Sequence, residues 1–224
     1  MLQPEDIRQL FYRKYIDNEV EENGTLEIRG VTFEASSEPI FGKRSQKYLK
    51  AEIAWYREAT RDAHKLFELY GKEVEIWKNC MDNFGEVNSN YGWCIWDDER
   101  GSQYLNVLAE LEKNPSTRQA VMIYTHPNMH YKGRAFGMHD FTCTNTVQYF
   151  IRDGYLETYV HMRSQDAVFG YTYDYPWQSY VASDLRLDLR DRGIKLKAKP
   201  IVWSVGSLHV YPRHFNLIKE HYEV

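Results

Sequence analysis

The chain has 224 residues, 43% of them hydrophobic and 15% aromatic, with a formal net charge of −4 at pH 7. This length and apolar fraction suffice for one domain, residues 1–224, with a sizeable core, while the weakly acidic balance excludes general attraction to nucleic acid or an anionic membrane. No apolar run matches a membrane span, the start MLQPEDIRQLF is acidic where a signal peptide would be basic, and Cys80, Cys94 and Cys143 lack zinc-site spacing. A cytoplasmic protein with free thiols and no metal is expected.

Ile7, Leu10 and Phe11 fall at helical spacing behind Pro4 and two acids, which predicts a packing helix over residues 4–15. Leu26 and Ile28 alternate, then the phase shifts at Gly30 before Val31 and Phe33, which predicts a strand pair with a turn or bulge. Residues 47–70 carry Leu49, Ile53, Tyr56, Leu66 and Leu69 around a polar middle, hence a helix with a break. Tyr104, Val107, Leu108 and Leu111 define an amphipathic helix over 102–113, stopped by Asn114–Pro115, and a strand follows at 120–124. Val147, Tyr149 and Ile151 alternate up to a turn at Asp153–Gly154, and a second strand-like run reaches Met162, which together predict a β-hairpin. Asp174–Tyr175–Pro176 opens a predicted helix over 175–189, residues 201–211 read as a strand, and 215–222 closes the chain. Lys195, Lys197 and Lys199 read as a solvated strand edge.

The residues that could carry chemistry concentrate between Cys143 and Trp177. A hairpin returns its ends to one another, so the Cys143 thiol at one end can face the Arg163 guanidinium at the other, and a neighbouring arginine favours thiolate. Arg163 with Ser164 can grip a monophosphate through charge-assisted hydrogen bonds. His209 and Tyr211, at i and i+2, share one face of a strand. Free cysteine is commonly a small buried hydrophobe, which is the reading for Cys80 and Cys94. On local pattern alone Asp174 reads as a helix cap ahead of Tyr175–Pro176.

CTNTVQY at 143–149, MRSQD at 162–166, VFG at 168–170, Asp174 and SLHVY at 207–211 stand in one order, with SNYGWCIW at 89–96 and NPSTR at 114–118 flanking them. In these motifs the chain resembles the thymidylate synthase superfamily, and most closely its deoxycytidylate hydroxymethylase branch from T-even phages. The resemblance implies an α/β (α+β) fold of the thymidylate synthase type, a mixed twisted sheet flanked by helices, in a homodimer with shared active sites. It places Cys143 on the nucleophile that attacks carbon 6 of a pyrimidine and Glu52 on the carboxyl that orders water and assists proton transfer. Arg163 and Ser164 fall on the nucleotide phosphate, Arg118 on the partner subunit's phosphate, and His209 and Tyr211 on the sugar. Trp77, Asp166, Gly170 and Tyr173 fall on the side of a reduced folate, 5,10-methylenetetrahydrofolate. The relatives' second arginine is Gln119 here, and their arginine before the GTL strand has no counterpart near Asn23–Gly24–Thr25. Phosphate binding is therefore expected to recruit Lys43, Arg44 or Arg134.

Asp174 separates the branches. Thymidylate synthases carry asparagine at the matching position, whose amide donates to a uracil carbonyl and accepts from the nitrogen 3 proton. Cytosine reverses that pattern, so a carboxyl group is the complementary reader, and catalysis by Asp174 together with Cys143 and Glu52 is expected on deoxycytidine monophosphate. Two features favour capture of water over hydride transfer: the chain stops at Val224 soon after the HVY strand, and IWKNC carries Cys80 where IWxxW would carry a bulky folate-side tryptophan. The ribonucleotide is the alternative substrate, followed by a methyl-transferring enzyme or a binding protein that has lost catalysis.

Overall fold

The structure is a computed structural model that describes residues 1–130 and 136–222. The chain divides into two compact units, residues 1–44 with 151–224 and residues 45–150.

In the first unit, helix α1 (Pro4–Ile16) packs on strand β1 (Leu26–Glu34), and its Ile7 and Phe11 are fully buried. Strand β6 (Val202–Val210) runs antiparallel to β1 and parallel to β4 (Tyr155–Asp166), and helix α7 (Phe169–Asp191) joins β4 to β6 and packs on β4. A parallel β-α-β unit of this kind leaves ligand-binding groups beyond the carboxyl ends of its strands. Here Asp166, the last residue of β4, pairs with His209 near the end of β6. The short edge strand β5 (Lys197–Ala198) lies along β4, with Lys199 bonded to Glu157 and both Lys197 and Lys199 over the Tyr155 ring, as a solvated edge requires. Helix α8 (Phe215–Tyr222) packs on α1.

Residues 26–34 form one strand, where the sequence predicted a pair. Gly30 has φ +64, and both it and Gly206 drop out of the β1–β6 ladder while the register is unchanged on either side. The β4–β6 ladder skips Arg163 at the same level. The buried face changes phase there in each strand: Leu156, Thr158, Val160 and Met162 are buried before the break in β4, Gln165 and Ala167 after it. A Cβ on Gly206 would lie 2.7 Å from the Arg163 carbonyl oxygen, so glycine is required for the strands to approach at this point. Strict alternation would set Arg163 and Ser164 on opposite faces; the break removes that constraint.

Helix α7 also departs from the prediction, starting at Phe169 and keeping Pro176 inside it. Proline deprives the Thr172 carbonyl of its intrahelical N–H. Arg44 supplies the replacement, its Nε donating to Thr172 O at 2.8 Å while a terminal nitrogen donates to Ser37 O at 2.7 Å. Asp174 is therefore a residue of the helix body and does not cap it.

The second unit holds α2 (Gln46–Arg57), α3 (Ala63–Tyr70), α4 (Glu75–Cys80), α5 (Tyr91–Trp96), α6 (Gln103–Lys113), strand β2 (Val121–Ile123) and all but the last two residues of β3 (Thr144–Arg152). The predicted break between α2 and α3 is present, with Asp62 capping α3. The SNYGW motif packs α5 against α2. Asn90 caps α5 and donates from Nδ2 to Trp55 O at 3.0 Å, while a Cβ on Gly92 would collide with the Tyr56 carbonyl at 1.6 Å. Strands β3 and β4 are joined at Asp153–Gly154, where φ values of 51 and 78 meet the requirement of a tight hairpin turn.

Candidate active site

Cys143, half-buried and in no disulfide, immediately precedes β3 in the second unit. The segment leading to it is fixed by polar contacts. His139 N donates to Cys80 O at 3.0 Å, and the buried Asp140 carboxylate accepts from both N and Oγ of Ser89 at 2.6 Å. Asn88 Nδ2 donates to Asp140 O at 2.8 Å. Burial pushes the Cys94 thiol up to about 12 and, with the Asp140 charge adding to it, the Cys80 thiol up to about 11. Both stay protonated near neutral pH, in line with a packing role.

Glu52 is buried on α2, and the hydroxyl of Tyr48 one turn earlier donates to its Oε1 at 2.6 Å. Trp77 Nε1 donates to the Tyr48 oxygen at 2.9 Å, and the Trp77 ring meets Trp55 edge-on at 5.0 Å. An indole nitrogen only donates, so the Tyr48 proton must point at Glu52. Trp77 thus orients Glu52 through Tyr48, a contact the sequence left unread. Arg118 projects into solvent from a turn tied by Thr117, whose Oγ1 accepts from Gln119 N at 3.0 Å.

In the first unit, β4 delivers exposed Arg163 and half-buried Ser164 next to buried Gln165 and half-buried Asp166. Asp166 Oδ1 accepts from Val168 N at 2.8 Å and so shapes the turn into α7. Asp174, half-buried one turn into that helix, accepts at Oδ2 from Gln165 Nε2 at 2.7 Å. Burial pushes the Asp174 carboxyl up to about 7; the Gln165 bond opposes the shift and the Asp166 charge adds to it. His209, near the end of β6, and Tyr211, just beyond it, have ring centroids 4.9 Å apart. Half-buried Gly170 and Tyr173 flank Asp174 on α7.

The first unit therefore gathers Arg163, Ser164, Asp166, Gly170, Tyr173, Asp174, His209 and Tyr211 around the β4–α7 corner and the end of β6, and the second carries Cys143, Glu52, Trp77 and Arg118. Of the expected phosphate substitutes, Lys43 is exposed and Arg134 lies outside the described residues. Arg44 is engaged by backbone carbonyls, so the expectation that it serves a phosphate is replaced by its role in α7. Gln165, Trp203 and Tyr48 were missed. Gln165 sits inside MRSQD and Tyr48 lies at i−4 from Glu52, which were the available signals. Among the described residues no helix is long and apolar enough to cross a membrane, and no group of three or more His, Cys, Asp or Glu is placed to hold a metal.

The family profile of thymidylate synthase matches residues 19–223. The deoxycytidylate 5-hydroxymethyltransferase of Enterobacteria phage T4 is 46% identical over 198 residues, 87% of this chain and 78% of the relative. That of phage T6 matches to the same extent. A thymidylate synthase of Brachyspira hyodysenteriae is 26% identical over 195 residues, covering 84% of this chain and 68% of the relative. Among solved structures, thermostable thymidylate synthase A from Bacillus subtilis superposes with a TM-score of 0.69 at 22% identity, covering 99% of this chain and 84% of that one. Fold and sequence likeness agree: the chain belongs to the thymidylate synthase family of folate-dependent one-carbon transferases.

Proposed function

We propose that the chain, acting as one catalytic domain over residues 1–224 and as a homodimer, converts deoxycytidine monophosphate to its 5-hydroxymethyl derivative. The observation that carries this reading is the Asp174 carboxyl, raised to about 7 and anchored by Gln165, at the position that the motif resemblance matches to an asparagine of thymidylate synthases. Near neutral pH such a group accepts from the cytosine amino group and shares a proton with nitrogen 3. A site built for those bonds leaves buried polar groups unpaired against uracil, which costs about 1–3 kcal/mol or more. The 46% identity to enzymes named for this reaction supports it.

In this reading Cys143 thiolate adds to carbon 6, and the electron pair displaced from the ring double bond makes carbon 5 nucleophilic. Bound 5,10-methylenetetrahydrofolate supplies the one-carbon unit and leaves as tetrahydrofolate. Its flat pterin and aryl tail suit half-exposed aromatic faces, and Trp77, Asp166, Gly170 and Tyr173 are the residues that would hold it. Glu52, held at Oε1 by Tyr48, orders water and moves protons at the base. The carbon 5 proton is lost as the carrier departs, the water oxygen bonds the transferred carbon and gives up a proton, and the electron pair returning to the bond between carbons 5 and 6 expels the Cys143 thiolate. Arg163 and Ser164 hold the phosphate, His209 and Tyr211 the sugar, and Arg118 the phosphate of the partner subunit's site. The cytoplasm is the expected compartment, that of the host if a phage encodes the chain.

The test is a mass-spectrometric product assay in oxygen-18 water with methylenetetrahydrofolate and, separately, the monophosphates of deoxycytidine, cytidine and deoxyuridine. A hydroxymethyl product carrying heavy oxygen from deoxycytidine monophosphate alone is expected. A methyl product, or turnover of deoxyuridine monophosphate instead, overturns the reading; preferential turnover of cytidine monophosphate moves the substrate to the ribonucleotide.

A further inference from the structure

A neutral carboxylic acid is an ambiguous reader of a pyrimidine edge. With its proton on the oxygen facing nitrogen 3 it matches cytosine, and with the proton on the oxygen facing the carbon 4 substituent it matches uracil. Something must fix the proton if Asp174 is to choose.

The first unit contains such a device. Trp203, fully buried on β6, directs its indole nitrogen at Gln165 Oε1 over 3.0 Å. Because an indole only donates, Gln165 must present its carbonyl to Trp203, and its amide group is thereby aimed at Asp174 Oδ2, 2.7 Å away. Gln165 is 1% exposed and Trp203 fully buried, so the Gln165 amide is itself shielded from water. Room for the amide is reserved by Gly170, where a Cβ would approach Gln165 Nε2 to 2.8 Å. A proton on Oδ2 would point at the amide hydrogens, so Oδ2 stays an acceptor and Oδ1 carries the proton.

We propose that Gln165, oriented by Trp203, is the specificity-determining positioning residue: it confines the Asp174 proton to Oδ1 and so fixes which oxygen donates to the base and which accepts. This rests on Asp174 being the group that meets the base, with Oδ2 toward the cytosine amino group and Oδ1 toward nitrogen 3. The charged groups around the pair are Asp166 at the end of β4 and Arg44 at the Thr172 carbonyl of α7, while His214, in the turn after β6, bears on Asp166.

The experiment is equilibrium binding of deoxycytidine and deoxyuridine monophosphates to the full chain by calorimetry from pH 6 to pH 9, for wild type, Gln165→Met and Gln165→Glu. Gln165→Met is expected to lose about tenfold or more of the preference for the cytosine nucleotide, chiefly by gaining affinity for the uracil nucleotide. Gln165→Glu, nearly isosteric, keeps the packing if the methionine variant fails to fold; it replaces the donor by an acceptor and is expected to lose the preference as well. The pH midpoint of cytosine-nucleotide binding rises in both, since the amide bond favours the ionised carboxyl and a second carboxylate opposes it. Proportional weakening toward both nucleotides with an unmoved midpoint would mean a merely structural glutamine and overturn the inference. A wild type that binds both nucleotides equally would overturn the reading of Asp174 itself.

Discussion

Glu52 and Asp174 are each held by a donor chain that begins at an indole: Trp77 to Tyr48 to Glu52, and Trp203 to Gln165 to Asp174. A donor-only group at the head fixes the direction of every bond after it, which is how a carboxyl is given a defined acceptor oxygen without a permanent charge beside it. For Asp174 this has a consequence for stability. Its folded value of about 7 lies above the ordinary 3.8, so between those values the folded protein binds more protons than the unfolded chain. Stability then falls as pH rises through that window and is level outside it. Asp174→Asn removes the titration, so its melting temperature relative to wild type is expected to climb from about pH 4 to about pH 7 and to plateau by about pH 8. Thermal melts across that range check this; a constant difference would mean that the carboxyl does not titrate there. In the sequence Asp174 stood out only through its motif register, because a carboxyl two residues before a proline is equally a helix cap.

At the scale of elements, α7 shows how a local rule is overridden. Pro176 marks a helix start on local grounds, and the structure instead extends the helix back to Phe169 because the guanidinium of Arg44 satisfies the Thr172 carbonyl. Arg44→Met is expected to cost about 1–3 kcal/mol, since the Thr172 and Ser37 carbonyls lose a charged donor. In a Pro176→Ala background the same substitution should cost at least about 1 kcal/mol less, because residue 176 regains an N–H for Thr172. Denaturant unfolding of the four proteins measures the coupling, and additive effects would deny that Arg44 stands in for the missing amide. Most elements were legible: the break between α2 and α3, the apolar face of α6 and the Asp153–Gly154 turn follow from periodicity and turn chemistry. The phase shift at Gly30 was visible too, but that it is one kinked strand opposite Gly206 depends on a neighbour more than 170 residues away.

At the scale of the whole molecule, the proposed homodimer makes a prediction about sharing between subunits. If Arg118 serves the partner subunit's phosphate, then Cys143→Ser and Arg118→Ala proteins, each impaired alone, should complement when mixed and allowed to exchange. Random exchange makes half of the dimers hybrid with one intact site each, so activity should approach about a quarter of wild type. No gain on mixing, with hybrid formation verified by tagged pull-down, would place Arg118 in its own subunit's site or outside the site altogether. By itself the sequence determined the family, most of the helices and strands, and the residue types proposed for the chemistry, because motifs in register and hydrophobic periodicity are local properties of the chain. Only the tertiary structure decided that Gln165 and Tyr48 aim the two carboxyls and that Arg44 completes a helix, since Trp203 to Gln165, Trp77 to Tyr48 and Arg44 to Thr172 are bonds spanning 38, 29 and 128 positions. Which donor meets which acceptor across such separations is set by packing, and no local preference of either residue encodes it.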